Sequence, residues 1–271
     1  MRTAHWLAAA VLVSDAWPLL RAWRANRRTA LPSALAWTGV AWLAWLSAAC
    51  LPDAGAWLPY LALSLTGCAG VAVLGARRPG VGAWNFVVFG LLAALLLPLA
   101  EGRGRPNFDT TRLLFLGAVL AVAVVNYLPT RIGFAAAAVG VGCAAEVARL
   151  AGWPDAAVAV WGRLAPALAP WLGLAACAAR PPATPFDAVW RTFRDRFGLL
   201  WALRQREQFN RAAANAGHAV ELGWSGLRPP PPNAEAPQAV LLELLSATLK
   251  RFGPAEGEPG ASATGGGPSG R

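Results

Sequence analysis

The strongest constraint in this sequence is a series of apolar stretches, each about as long as a bilayer is thick. A membrane-crossing helix needs ~20 mostly apolar residues, because hydrocarbon tolerates only a backbone that satisfies its own hydrogen bonds. Six stretches meet that length: Ser33–Leu51, Trp57–Ala76, Ala83–Ala100, Arg112–Leu128, Ile132–Leu150 and Ala156–Ala179. A seventh, Ala4–Leu20, is shorter and carries Asp15 and Pro18. It reads either as a retained helix or as a signal peptide behind Arg2. The lack of a small-residue cleavage site followed by a polar start favours the retained helix. Composition agrees with a membrane chain. Of 271 residues, 56% are hydrophobic and 14% charged, with a mean hydropathy of +0.42; soluble domains carry ~25% charged residues.

The expected fold class is therefore an all-α membrane protein. It comprises a bundle of seven (or six) transmembrane helices, a juxtamembrane amphipathic helix and a small cytoplasmic tail. The expected division is 1–180 for the bundle, 181–253 for a basic mini-domain of helix, short strand and helix, and 254–271 for a disordered Gly/Pro/Ser-rich end.

Arginine sets the expected orientation. The net charge is +10, and the only lysine is Lys250. Arg21, Arg24, Arg27 and Arg28 follow the first stretch, Arg77 and Arg78 the third, Arg131 the fifth, and Arg180, Arg191, Arg194 and Arg196 the last. The connections between these carry Asp53, then Glu101 and Asp109 beside Arg103 and Arg105, then Asp155. Such alternation puts the arginine-rich connections in the cytoplasm. It predicts a multi-pass protein of the cell (inner) membrane with its C-terminus cytoplasmic. The basic residues sit between apolar stretches rather than along a groove, so nucleic acid is not an expected partner. The wealth of Arg, Ala, Gly and Pro fits a high-GC bacterial genome.

Ionisable residues inside apolar stretches are costly and mark candidate sites. Glu146 and Arg163 lie near the same ends of consecutive stretches joined by a short connection. At 1.5 Å rise per residue both sit roughly 6–11 Å below the outer surface. They are a candidate intramembrane ion pair. Three uses are open: a helix-pairing clamp, a substrate or proton site, or separate snorkelling to the interface. Arg149 is expected to snorkel. Asp15 is expected near the inner end of the first helix, within reach of Arg21 or Arg24, and Asn85 and Asn126 are expected to bond between helices. Trp37, Trp42 and Trp45 read as a packing or lipid-facing ridge. Glycines and alanines at four-residue spacing predict close helix contacts.

Chemistry-bearing motifs are scarce. The two histidines, His5 and His218, exclude paired axial haem ligation within the bundle. The cysteines, Cys50, Cys68, Cys143 and Cys177, show no CxxC spacing. No HExxH, phosphate-loop, dinucleotide or nucleophile-elbow pattern occurs. No cofactor, metal site or catalytic residue is expected, and an enzyme is disfavoured.

The tail begins with "ATPFDAVW". Thr184 is placed to cap a helix, with Pro185 in its first position. At 100° per residue, Phe186, Val189, Trp190, Phe193, Phe197, Leu200 and Trp201 form one stripe, with Arg191, Arg194, Asp195 and Gln205 opposite. Phe186, Trp190, Phe193, Phe197 and Trp201, with Arg191 and Arg194, are the candidate lipid or partner face. The stripe could lie in the headgroup layer, pack on the tail's own elements, or dock a cytoplasmic protein or a second copy of the chain. Gly217 marks the helix end, "HAVELGWSG" alternates like a short strand, and "APQAVLLELLSATLKRF" reads as a helix stopped by Gly253. "RPPPPN" is a stiff spacer. The stretch "FRDRFGLLWALRQREQFNRAAANAG", with "GWSGL" at Gly223–Leu227, resembles a segment of multi-pass membrane proteins from high-GC, planctomycete-like bacteria. That resemblance implies a membrane location and brings no activity or site residues.

Overall fold

A computed structural model describes residues 2–101, 109–153, 156–179, 184–228 and 238–253. The spacer, Asp155, Arg180 and the Gly/Pro/Ser-rich end lie outside these residues.

The all-α expectation holds, apart from one two-stranded hairpin in the tail. The helices are α1 (Arg2–Ser14), α2 (Ala16–Asn26), α3 (Pro32–Cys50), α4 (Trp57–Leu74), α5 (Val81–Glu101), α6 (Thr110–Val125), α7 (Gly133–Leu150), α8 (Ala156–Ala178), α9 (Pro185–Asn215) and α10 (Gln238–Leu249). Strand β1 (Glu221–Leu222) pairs antiparallel with β2 (Leu227–Arg228).

Among the described residues four helices are long and apolar enough to cross a membrane: α3, α4, α5 and α7. Two of the other expected stretches fold differently. Ala4–Leu20 is two helices, turning at Asp15, because Pro18 has no N–H to give the carbonyl of Ser14. The α6 helix is shorter than its apolar stretch. It starts at an Asp109 cap whose carboxylate accepts from the Arg112 amide at 2.8 Å, and it ends before Asn126. The α8 helix runs nearly the whole of its expected stretch, with Arg163, Pro166 and Pro170 inside it.

The bundle is built around α4. It packs against α3, α5 and α6, while α7 pairs closely with α8 and α1 bridges α3 to α8. Small residues make these approaches possible. A methyl group on Gly70 would lie 2.1 Å from Ala123 Cβ, and one on Gly142 2.2 Å from Pro166 Cδ. The tryptophan ridge of α3 is a packing feature. Trp37 and Trp45 are buried, Trp45 donates to Thr66 Oγ1 at 3.0 Å, and Trp42 donates to the Leu12 carbonyl at 2.8 Å. Ser33 Oγ donates to Asn85 Oδ1 at 2.5 Å, tying α3 to α5. Large apolar side chains such as Phe86, Phe89, Leu114 and Phe134 face outward. That is the pattern of a bundle whose solvent is hydrocarbon.

The tail folds against one end of this bundle. Thr184 caps α9, accepting from the Asp187 amide at 3.0 Å, and Gly217 follows its end with φ +76°. Leu241, Leu245 and Leu249 bury one edge of α10 against α9. A 3-10 turn at Lys250–Phe252 then places Phe252 against Phe193, Phe197 and Trp201, with ring centroids 4.9, 4.9 and 5.0 Å away in edge-to-face contacts.

Candidate functional site

Two places gather the polar chemistry of the chain: a charge cluster within the bundle, and the seam where the tail meets the bundle.

The cluster centres on Glu146, which is 1% exposed. It sits on α7 opposite Gly162 of α8, where a methyl group would come 2.9 Å from Glu146 Cγ. The missing side chain leaves room for the carboxylate between the helices. Arg163 and Glu146 face each other with Nε and Oε1 4.0 Å apart. The closer partner is Arg149, one turn along α7, whose Nε donates to Oε2 at 2.6 Å. Arg149 thus folds onto Glu146 instead of snorkelling. Arg163 also meets His5 Nε2 at 2.5 Å, which brings α1 into the cluster. Sequence reasoning missed His5, because its partner lies 158 residues away. Glu146 Oε1 and Arg149 Nη2 are buried and find no hydrogen-bond partner among the described residues. Asp15 is also fully buried, with Trp171 beside its carboxylate. The expected pairing with Arg21 or Arg24 is not formed. The break between α1 and α2 turns Asp15 inward, towards the seam with α8, where Trp171 donates to the neighbouring Ser14 at 3.0 Å.

At the seam, α9 is interrupted at Gly198, where φ is +78° and ψ −171°. Only glycine takes that conformation without strain. The interruption frees backbone groups, and Asn126 supplies their partners. Its carbonyl accepts from the Leu199 amide at 2.6 Å, and its Oδ1 accepts from the Leu200 amide at 3.1 Å. Its Nδ2 donates to the Phe197 carbonyl at 3.4 Å. Asn126 was expected to bond between helices, and it does, joining the end of α6 to the broken helix of the tail. Tyr127 donates from its hydroxyl to the Arg196 carbonyl at 3.0 Å, and Trp224 donates to the Pro129 carbonyl at 2.8 Å. Arg131 forms an ion pair with Asp195. The α6–α7 connection is therefore a cradle for α9.

The neighbouring connections hold the rest of the tail. Trp201 donates to the Val73 carbonyl at 3.2 Å, and the Arg78 amide to the Arg251 carbonyl at 2.9 Å. The Ala30 amide donates to the Phe252 carbonyl at 2.8 Å. Arg78 also reaches the carbonyls of Arg28 and Thr29, both at 3.2 Å.

These contacts place the candidate lipid or partner face. Phe186, Trp190, Phe193, Phe197 and Trp201 are all buried, covered by α10, Phe252, the hairpin and the connections. The stripe therefore packs on the chain itself and is not open to lipid or to a partner. Leu200 leaves the stripe and is exposed, because the Gly198 interruption resets the helical phase. Beyond it a second buried row runs through Ala202, Gln205, Phe209 and Ala213. Arg194 and Asp195, expected on the wet side, are buried together. Arg194 Nη2 and Asp195 Oδ1 are 2.9 Å apart, and Arg194 also donates to the Trp224 carbonyl at 2.9 Å. Arg191 lies 3.8 Å from Asp187 and donates to the Ser225 carbonyl at 2.9 Å. Both candidate arginines thus fasten the hairpin to α9. "RFGLL" was the one signal available for the break, since a glycine between large apolar residues weakens a helix.

Among the described residues no group of three or more His, Cys, Asp or Glu side chains is placed to hold a metal ion. Cys68 and Cys143 are buried and free, and Cys50 and Cys177 are exposed and free. No family model, curated protein or solved structure matches this chain.

Proposed function

We propose that this chain is a multi-pass membrane protein of the bacterial inner membrane, with its C-terminus in the cytoplasm and no catalysis of its own. Its folded basic tail meets the headgroup layer or a cytoplasmic protein. One observation carries this reading. The tail rests on the connections around Thr29, Arg78 and Arg131, the ones that arginine distribution assigns to the cytoplasm. In this reading α1 and α2 make one bent span, and α6 and α8 cross with the four longer apolar helices, giving seven. The resemblance to membrane proteins of planctomycete-like bacteria agrees with it.

Reporter fusions test the topology. Green fluorescent protein fused after Thr29, Thr130 or Gly253 is expected to fluoresce, and alkaline phosphatase fused after Gly55 or Gly152 to be active. The reverse pattern discards the reading. A photo-crosslinking residue at the exposed Leu203 then separates lipid, a second copy and a foreign protein as neighbours of the tail.

A second reading is a carrier for a small solute or proton, with its polar site at Glu146 and Arg163. It is favoured by the cluster of Glu146, Arg149, Arg163 and His5 inside an apolar bundle. Proton flux into proteoliposomes that falls in Glu146→Gln supports it; equal flux in both proteins rejects it. Three cavities among the described residues are lined by tail residues, and none of these three reaches Glu146.

A further inference from the structure

Three arginines from separate parts of the chain meet around one cavity at the seam. Arg77 follows the end of α4, Arg204 lies in the second half of α9, and Arg251 sits in the turn after α10. The cavity is about 240 Å³. That holds several waters or a small anionic group and is smaller than the ~300–1,000 Å³ of a drug-sized pocket. Gln205, Gln208 and Thr248 also line it, and none of its described lining residues is acidic.

The arginines are held in place. Trp201, anchored by its bond to the Val73 carbonyl, carries the guanidiniums of Arg77 and Arg204 at 5.9 and 5.8 Å from its ring centroid. The Arg251 backbone is fixed by the Arg78 amide. Elsewhere in the tail, Arg191, Arg194 and Arg211 have carboxylate neighbours. No ion pair joins Arg77, Arg204 or Arg251 to a carboxylate among the described residues. Three like charges around one cavity repel each other until an anion stands between them.

We propose that this cavity binds the phosphate group of a phosphate ester, with Arg77, Arg204 and Arg251 on the phosphate. The site deepens the reading of the tail as a headgroup contact and rests on α4 crossing the membrane. Arg77 stands three residues past the end of α4, about 4.5 Å at helical rise, which is headgroup depth. The same chemistry is offered by phosphatidylglycerol in the bilayer and by glycerol phosphate in the cytoplasm.

The test uses the purified full-length protein. In neutral detergent, thermal unfolding is followed with glycerol phosphate or with chloride at matched ionic strength. In nanodiscs of phosphatidylcholine, it is followed with and without phosphatidylglycerol. A ligand that binds the folded state raises the midpoint. Stabilisation by phosphatidylglycerol alone identifies the lipid source; stabilisation by glycerol phosphate in detergent identifies the soluble one. In either case the R77Q/R204Q/R251Q variant loses the shift, while R211Q, which removes an exposed arginine away from the cavity, keeps it. Each single loss weakens binding by about tenfold or more. Should the triple variant not fold, R251Q alone gives the same comparison. Equal shifts in wild type and R251Q, or no shift with either ligand, overturn the proposal. The reporter fusions are independent of this result, so a misassigned topology and an empty cavity are told apart.

Discussion

At the residue scale, the decisive position is Gly198. A methyl group there would lie 2.2 Å from Asn126 Nδ2, on a backbone with φ +78°. Gly198→Ala therefore meets both a steric and a conformational penalty. It is expected to lower stability by at least about 1–2 kcal/mol, read as a lower unfolding midpoint in detergent. Glu146 is the other such position. Its contact with Arg149 is 2.6 Å and that with Arg163 4.0 Å. Double-mutant cycles with Gln at each site are expected to give a larger coupling for Glu146–Arg149 than for Glu146–Arg163, both within about 0.5–3 kcal/mol. Additive losses at both pairs would remove the clamp. The sequence pointed to Glu146 and Arg163 as partners by depth and connection length. It ranked Arg149 too low, because the direction a long side chain takes depends on what its neighbours leave open.

At the element scale, α9 shows how a pattern can be right and its meaning different. The amphipathic stripe is real up to Phe197, and its cap at Thr184 and end at Gly217 were legible because capping is local chemistry. The cover over the stripe was not legible. Phe252 lies 55 residues beyond Phe197 along the chain and edges three aromatic rings of α9. Phe252→Ala is expected to cost about 3–5 kcal/mol and to loosen α10 from α9. Limited trypsin digestion checks this: cleavage after the buried Arg194 should be faster in the variant. Unchanged cleavage there would mean that Phe252 does not hold the tail closed.

At the scale of the whole molecule, tail and bundle are one structure. The tail takes hydrogen bonds from three connections and an ion pair from Arg131. A fragment of residues 185–253 is therefore expected to be helical by far-UV circular dichroism. It should show weak near-UV tryptophan signals and no sharp thermal transition, the mark of lost side-chain packing. A cooperative transition in the fragment would show the mini-domain to stand alone. The fragment is small enough to be marginal in any case, and the interrupted helix at Gly198 loses its Asn126 partners without the bundle.

The sequence by itself determined what depends on neighbours along the chain. Apolar length gave the helical, membrane-suited bundle, small-residue spacing gave its close contacts, and capping residues gave the ends of α9. Helix propensity, hydropathy and caps act within a few turns, so one strand of text carries them. Only the tertiary structure decided what lies across a gap. It turned Asp15 inward, brought His5 to Arg163, and closed the aromatic stripe under Phe252. It also seated a broken helix on Asn126 and left Arg77, Arg204 and Arg251 around one cavity. Each of these depends on which distant surfaces are buried together, and burial fixes whether a charge is solvated, paired or left waiting for a partner.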